Sequence, residues 1–258
     1  MRLPIYQVDA FASAVFRGNP AAVVPLDGWL PDAALQAIAA ENNLSETAFF
    51  VAAGGGYALR WFTPTMEVDL CGHATVASAF VIMTVLQPGR DSVAFETKSG
   101  RLDVTRDGDR FVLDFPALPA APVAAPDGLA AALGAPPRAV LTAAKWLCVY
   151  DDAATVRALA PDMTALAQFD GGVIVTSRGE DCDFVSRFFA PSYGIPEDPV
   201  TGSAHCTLIP YWAAALGREA LFARQVSARG GELWCEDRGA RVSIGGRAVL
   251  YLTGTIDI

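Results

Sequence analysis

The chain has 258 residues, enough for one large domain or for two lobes of about 125 residues each. Its 52% hydrophobic and 18% charged residues exclude a disordered chain. The 19 Lys+Arg against 28 Asp+Glu leave a net charge of −9, which disfavours nucleic acid and anionic membrane as partners. Five cysteines with no Cys-x-x-Cys pair argue against a disulfide framework or structural zinc and fit a reducing, cytoplasmic setting. The first residues hold no long apolar stretch, so no signal peptide is expected.

In chain order, residues 5–9 and 21–24 read as strands, and 31–41 as a helix with Pro31 in its first turn. Residues 47–52 and 58–62 read as strands around a Gly54-Gly55-Gly56 turn. That Gly run is no phosphate loop, because no helix follows it and no Lys-Ser/Thr closes it. A helix is predicted over 72–86. Its nearly apolar run, 74–86, is too short to span a bilayer and suits a buried position. Residues 101–105 and 110–115 form a hairpin turned at Asp107-Gly108. The Pro- and Ala-rich stretch 116–126 reads as a linker between an N-terminal lobe, 1–115, and a C-terminal lobe, 116–247. The last strand, 248–258, can join the first lobe.

The sequence repeats itself. Arg60-Trp61-Phe62-Thr63-Pro64 matches Arg187-Phe188-Phe189-Ala190-Pro191 at an offset of 127. Cys71-Gly72-His73-Ala74-Thr75 matches Thr201-Gly202-Ser203-Ala204-His205 at 130, so the second copy carries three extra residues in its loop. Ser99-Gly100-Arg101-Leu102 matches Gly230-Gly231-Glu232-Leu233 at 131, and Ala48-Phe49-Phe50-Val51 matches Val173-Ile174-Val175-Thr176 at 125. Four matches in one order predict an α+β fold of two pseudo-symmetric lobes.

Gly72 and Gly202 sit where a loop enters a buried helix. The first amides of a helix have no internal partner and carry the positive end of its dipole, so two such starts facing one cleft would hold an anion, most simply a carboxylate. The chain has two histidines. His73, beside Gly72, is taken as a site residue, and His205, one turn inside its helix, as a packed one. Asp198 lies five residues before Ser203, in the region where the second copy has its insertion. Glu46 stands where a helix gives way to a strand, and the second copy offers Gly171 or Gly172 there, so the first lobe has the single carboxylate. One carboxylate can both take and return a proton.

Val8-Asp9-Ala10-Phe11, Phe16-Arg17-Gly18-Asn19-Pro20-Ala21, Asn43-Leu44-Ser45-Glu46-Thr47-Ala48-Phe49, Leu70-Cys71-Gly72-His73-Ala74-Thr75 and Asp198-Pro199-Val200-Thr201-Gly202-Ser203-Ala204 together resemble the phenazine-biosynthesis isomerase (PhzF-like) family, relatives of diaminopimelate epimerase. The resemblance spans essentially the whole chain. It implies a diaminopimelate epimerase-like fold, each lobe a curved, mostly antiparallel sheet around a central helix. It also implies no cofactor or metal, and a homodimer. It implies Glu46 as the catalytic acid/base, with His73, Asp198 and Ser203 lining the site and holding the substrate, His73 and Asp198 being catalytic candidates with it. The candidate substrate-binding residues are Ser45, Cys71, Gly72, Thr201, Gly202 and Ser203. The expected reaction moves a proton between carbons of a small carboxylate.

Two other readings stay open. The epimerase relatives use two facing cysteines, but Thr201 stands where a partner for Cys71 is needed, which disfavours a two-thiol mechanism and leaves Cys71 as a small packed residue. The third reading is a small-molecule binding protein without chemistry. The substrate is not legible from the sequence.

Overall fold

The computed structural model describes residues 1–258. The first half runs β1 (Arg2–Ala10), β2 (Asn19–Leu26), α1 (Asp32–Asn42), β3 (Glu46–Ala53), β4 (Gly56–Phe62), β5 (Glu67–Val68), α2 (Gly72–Phe80), β6 (Ser92–Thr97), β7 (Gly100–Asp107) and β8 (Arg110–Pro116). The second half runs β9 (Ala121–Pro122), α3 (Leu129–Leu133), β10 (Ala139–Thr142), β11 (Trp146–Val149), α4 (Ala153–Ala158), α5 (Met163–Leu166), β12 (Val173–Arg178), β13 (Phe184–Ala190), β14 (Ile195–Asp198), α6 (Gly202–Leu216), β15 (Ala220–Gln225), β16 (Gly231–Asp237), β17 (Arg241–Gly246) and β18 (Ala248–Asp257). The chain divides into two compact units, Met1–Asp114 with Gly245–Ile258, and Phe115–Ile244.

The strand pairings repeat the sequence duplication. In the first unit β1 pairs antiparallel with β2, β2 parallel with β3, β3 antiparallel with β4, and β4 antiparallel with β5 and parallel with β6. The second unit repeats this order: β10 antiparallel with β11, β11 parallel with β12, β12 antiparallel with β13, and β13 antiparallel with β14 and parallel with β15. A parallel pair needs a crossover, supplied by α1 in one unit and by α4 and α5 in the other. α1 begins at Asp32, after Pro31, and ends where Asn43 adopts the left-handed conformation and donates its N–H to the Ala39 carbonyl.

Each unit buries one helix. All residues of α2 from His73 to Ala79 are buried, and four of them are Ala or Ser, which lets the helix sit close to β1, β2 and β3. The helix predicted over 72–86 is α-helical only to Phe80. Val81–Leu86 then widens to a π turn, closed by Gln87 N–H donating to the Ile82 carbonyl at 2.7 Å. α6 carries Pro210 in its interior, which leaves the carbonyl four residues back, at Cys206, without its helical donor. Leu118 N–H fills that place at 2.9 Å, and Ala117 N–H donates to the Ala240 carbonyl at 3.0 Å. The stretch 116–126 is therefore not a free linker but is tied to the second unit by backbone hydrogen bonds.

Pairing registers refine the repeat. Thr47 faces Phe62, and Val173 faces Phe189, so the β3 and β12 copies correspond at an offset of 126 rather than 125. Glu46 then corresponds to Gly172. Phe62 also faces Glu67, and Phe189 faces Glu197. This places the three extra residues before Glu197, around the 3-10 turn Pro191–Tyr193, and not at Asp198, whose counterpart is Val68.

Both copies fasten this corner with the same ion pair. Arg60 Nε and Nη2 donate to Glu67 at 2.7 and 2.9 Å, and Arg187 Nε and Nη2 donate to Glu197 at 2.7 and 3.0 Å. Arg187 Nη1 also donates to the Leu159 carbonyl at 2.7 Å and the Val156 carbonyl at 3.2 Å. The Arg60 hydrogen bond, against an opposing effect of burial, holds the Glu67 carboxyl down at about 2. A two-pronged guanidinium cannot be replaced by a point charge. Arg187→Lys is expected to lower unfolding stability by about 1–3 kcal/mol, read as a lower urea midpoint at unchanged slope. A midpoint equal to wild type would show that the clamp contributes nothing.

Candidate active site

Glu46 is the first residue of β3, held there from both sides. Upstream, the left-handed turn at Asn43 reverses the chain, and Asn42 Nδ2 donates to Thr47 Oγ1 at 3.1 Å. Downstream, Thr47, Ala48, Phe49 and Phe50 are all buried and fix the strand. His73 is the second residue of α2, with a side chain only 5% exposed against 13% for Glu46. The two meet at 3.1 Å, His73 Nε2 to Glu46 Oε2. The ring N–H is not aimed along that line, so neither atom completes a hydrogen bond inside the protein. On the other side of the ring, Nδ1 lies 3.1 Å from the Asn19 side-chain amide and 3.5 Å from Cys71 Sγ. Asn19 is placed by Gly18, whose positive φ of 64° and tight approach to the Ala10 carbonyl leave no room for a Cβ.

Burial by itself would lower the His73 pKa, but its close contacts with Cys71, by charge only where that thiol ionises, and with the Glu46 carboxylate outweigh it and hold it well above the usual imidazole value. The Cys71 thiol is pushed up to about 11, first by burial and then by Glu46. Cys71 is therefore a neutral thiol at pH 7, and Glu46 is the charge that stabilises the imidazolium. Glu46, Cys71 and His73 offer carboxylate, sulfur and nitrogen atoms within 4.8 Å of one another, ligand types that zinc accepts. Here Sγ approaches Nδ1 while Oε2 approaches Nε2. A chelated ion uses one nitrogen of a histidine, so the arrangement is a chain through the ring rather than a cage.

In the second unit the corresponding corner holds different groups. Thr201 Oγ1 donates to Asp198 Oδ2 at 2.5 Å. Gln225 Oε1 accepts from Thr201 N–H at 2.9 Å, and its Nε2 donates to the Asp198 carbonyl at 2.7 Å. Ser203 is half-buried at the position of His73. Thr75 and His205 occupy equivalent sites and do equivalent work: Thr75 Oγ1 donates to the Cys71 carbonyl at 2.6 Å, and His205 Nδ1 lies 2.8 Å from the Thr201 carbonyl. Burial drives the His205 pKa down to about 4, so it is a neutral packed residue, as read from the sequence. Neither α2 nor α6 has a side-chain N-cap or an acid in its first turn.

The structure thus brings Glu46, Cys71, Gly72 and His73 together in one unit, with half-buried Ser45 preceding Glu46. It brings Asp198, Thr201, Gly202 and Ser203 together in the other. Sequence reasoning did not single out Asn19 or Gln225. Both act through contacts with residues remote in the chain, and only the short spacing of Asn19 from Gly18 hinted at it.

The two histidines make opposite predictions. The raised His73 pKa contributes stability that is present below about pH 6.5 and is lost as pH rises through its folded value. The lowered His205 pKa costs stability as pH falls from about 6.5 towards 4. NMR titration is expected to show one imidazole protonated through neutrality and one neutral. Glu46→Gln is expected to lower the first pKa and leave the second unmoved. Two ordinary titrations near 6.5 would refute the assignment.

A family model described as phenazine biosynthesis-like protein matches residues 8–254. Two uncharacterized isomerases of Pseudomonas aeruginosa are each 54% identical to the chain, one covering 100% of both chains and the other 99%. A crystal structure of a PhzF family protein from Enterococcus faecalis is 48% identical and superposes with a TM-score of 0.98 over 100% of both chains. A hydroxyproline epimerase from Agrobacterium vitis is 11% identical, with a TM-score of 0.65 over 99% of this chain and 92% of that one, a likeness of fold alone.

Proposed function

The chain belongs to the phenazine biosynthesis-like (PhzC-PhzF) family, and from that premise we propose that it is an isomerase in which Glu46 moves a proton between carbons of a small carboxylate substrate. The relatives named as isomerases support the reaction class, and the contact of Glu46 with His73 carries the assignment of the acid/base. His73 Nε2 lies against Glu46 Oε2, which leaves Oε1 of the half-buried residue to receive a proton. The C–H bond of the activated carbon breaks as the Oε1–H bond forms. The electron pair spreads into the conjugated carboxylate system beside the imidazolium. The same Oε1–H then delivers its proton to a second carbon, so no atoms or electrons are gained or lost and no cofactor is called for.

In this reading the uncapped amide at Gly72, with Ser45 and Cys71, binds substrate in the first unit, and Asp198, Thr201, Gly202 and Ser203 are the candidate binding residues of the second. Cys71 is a poor second base, because its thiol is raised to about 11 and its sequence counterpart is Thr201, whose hydroxyl is committed to Asp198. A homodimer and a cytoplasmic setting complete the proposal. No helix is long and apolar enough to cross a membrane.

The test is solvent deuterium uptake into a panel of small unsaturated carboxylates. Glu46→Gln is expected to reduce uptake by about 10²–10⁴-fold, while Cys71→Ser keeps most of it. Uptake at wild-type rate in the Glu46→Gln protein would remove Glu46 from its role, and loss in Cys71→Ser alone would favour a thiol base.

A further inference from the structure

Comparison of the two registers exposes a charge that neither the repeat nor the isomerase reading uses. Ala22 faces Thr47 across the parallel pair β2–β3, and Trp146 faces Val173 across the equivalent pair β11–β12. One residue back, Ala21 faces Glu46, and the same step in the second unit sets Lys145 against Gly172. Where the first unit has an acid on one strand opposite an alanine, the second has a glycine opposite a lysine. The ionisable group has changed sign and crossed to the neighbouring strand.

The backbone that carries Lys145 is tightly fixed. Ala143 N–H donates to the Lys145 carbonyl, and Trp146 N–H to the Gly172 carbonyl, both at 3.1 Å. Gly171 and Gly172 have φ of 82° and 76°, and a Cβ on Gly171 would lie 2.5 Å from the Ala144 carbonyl oxygen. A Cβ on Gly172 would lie 2.7 Å from the Phe188 ring. Lys145 Nζ sits over that same ring, 5.7 Å from its centroid. Glycine at 172 thus admits Phe188, and Phe188 supports the ammonium.

The Lys145 side chain is half-buried and has no protein ion pair within 4 Å and no side-chain hydrogen bond. Burial lowers its pKa, with Cys206 and Asp198 opposing that effect. Asp198 acts on it only at a distance, beyond ion-pair contact, and its Oδ2 accepts from Thr201 Oγ1 at 2.5 Å. An ammonium partly withdrawn from water without a direct ion pair gains from a ligand that supplies the opposite charge.

We propose that Lys145 is an anion-binding residue of the second unit, whose ammonium on the Phe188 face takes the carboxylate of a small planar acid. The choice of a carboxylate as the anion rests on the isomerase reading. The binding itself does not require turnover.

The test is binding of two matched probes, benzoate and benzamide, followed by calorimetry. Wild type is expected to prefer benzoate. Lys145→Met is expected to weaken benzoate binding by about 10–100-fold and leave benzamide unchanged, with Lys145→Arg restoring most of the loss. Near-wild-type melting temperatures of both variants would separate a lost charge from a lost fold. Equal weakening of both probes, unchanged benzoate binding in Lys145→Met, or no preference for benzoate in wild type would each overturn the proposal. None of these outcomes bears on proton transfer by Glu46, which the deuterium experiment reads separately.

Discussion

The 3.1 Å approach of the His73 imidazole to the Glu46 carboxylate is the contact around which the first unit is arranged. It requires the first residue of β3 and the first turn of α2 to meet at one point, although 27 positions separate them in the sequence. α2 can come that close because its buried face is built from Ala, Ser and Thr. The imidazolium sits near the positive end of a helix, which by itself disfavours it. The carboxylate compensates, and each charge makes the other tolerable in a site that water scarcely reaches. Both contacting atoms are shut off from water and face only each other.

Duplication supplied the frame, and the two copies diverged in the side chains they set on it. The Arg–Glu clamps at Arg60–Glu67 and Arg187–Glu197 are nearly identical in geometry, as are the side-chain contacts of Thr75 and His205 with the carbonyls one turn back. Between these fixed points the two corners carry different side chains. Glu46, Val68, Cys71 and His73 stand in one, and Gly172, Asp198, Thr201 and Ser203 in the other. The clamps tie β4 to β5 and β13 to β14 in the same way, while the side chains next to them vary. Catalytic groups on rigid element ends are better positioned than groups on free loops.

The buried Pro210 shows how the second unit meets its own constraint. A proline in a central helix leaves a carbonyl unsatisfied, and the segment that reads as a flexible connection, 116–126, supplies the missing N–H from Leu118. The Pro and Ala content that suggested a linker reflects instead a short extended strap with few side chains to bury.

Much of the fold was legible from the sequence, because a duplicated pattern with Gly and Pro punctuation leaves the same trace twice. The strands around Gly54-Gly55-Gly56, the hairpin at Asp107-Gly108 and both buried helix starts follow from local rules of turn chemistry and hydrophobic patterning. Glu46 was singled out because the second copy has no carboxylate there, Asp198 because it lies near the inserted residues, and His73 because it stands beside the helix-start Gly72. The sequence could not give the strand register, which moved the β3–β12 offset by one residue and the insertion away from Asp198. Nor could it show that Asn19 and Cys71 flank one imidazole nitrogen, or that Lys145 stands over Phe188. Register and side-chain proximity are set by hydrogen bonding and packing between segments far apart in the chain, and no local pattern of residues encodes them.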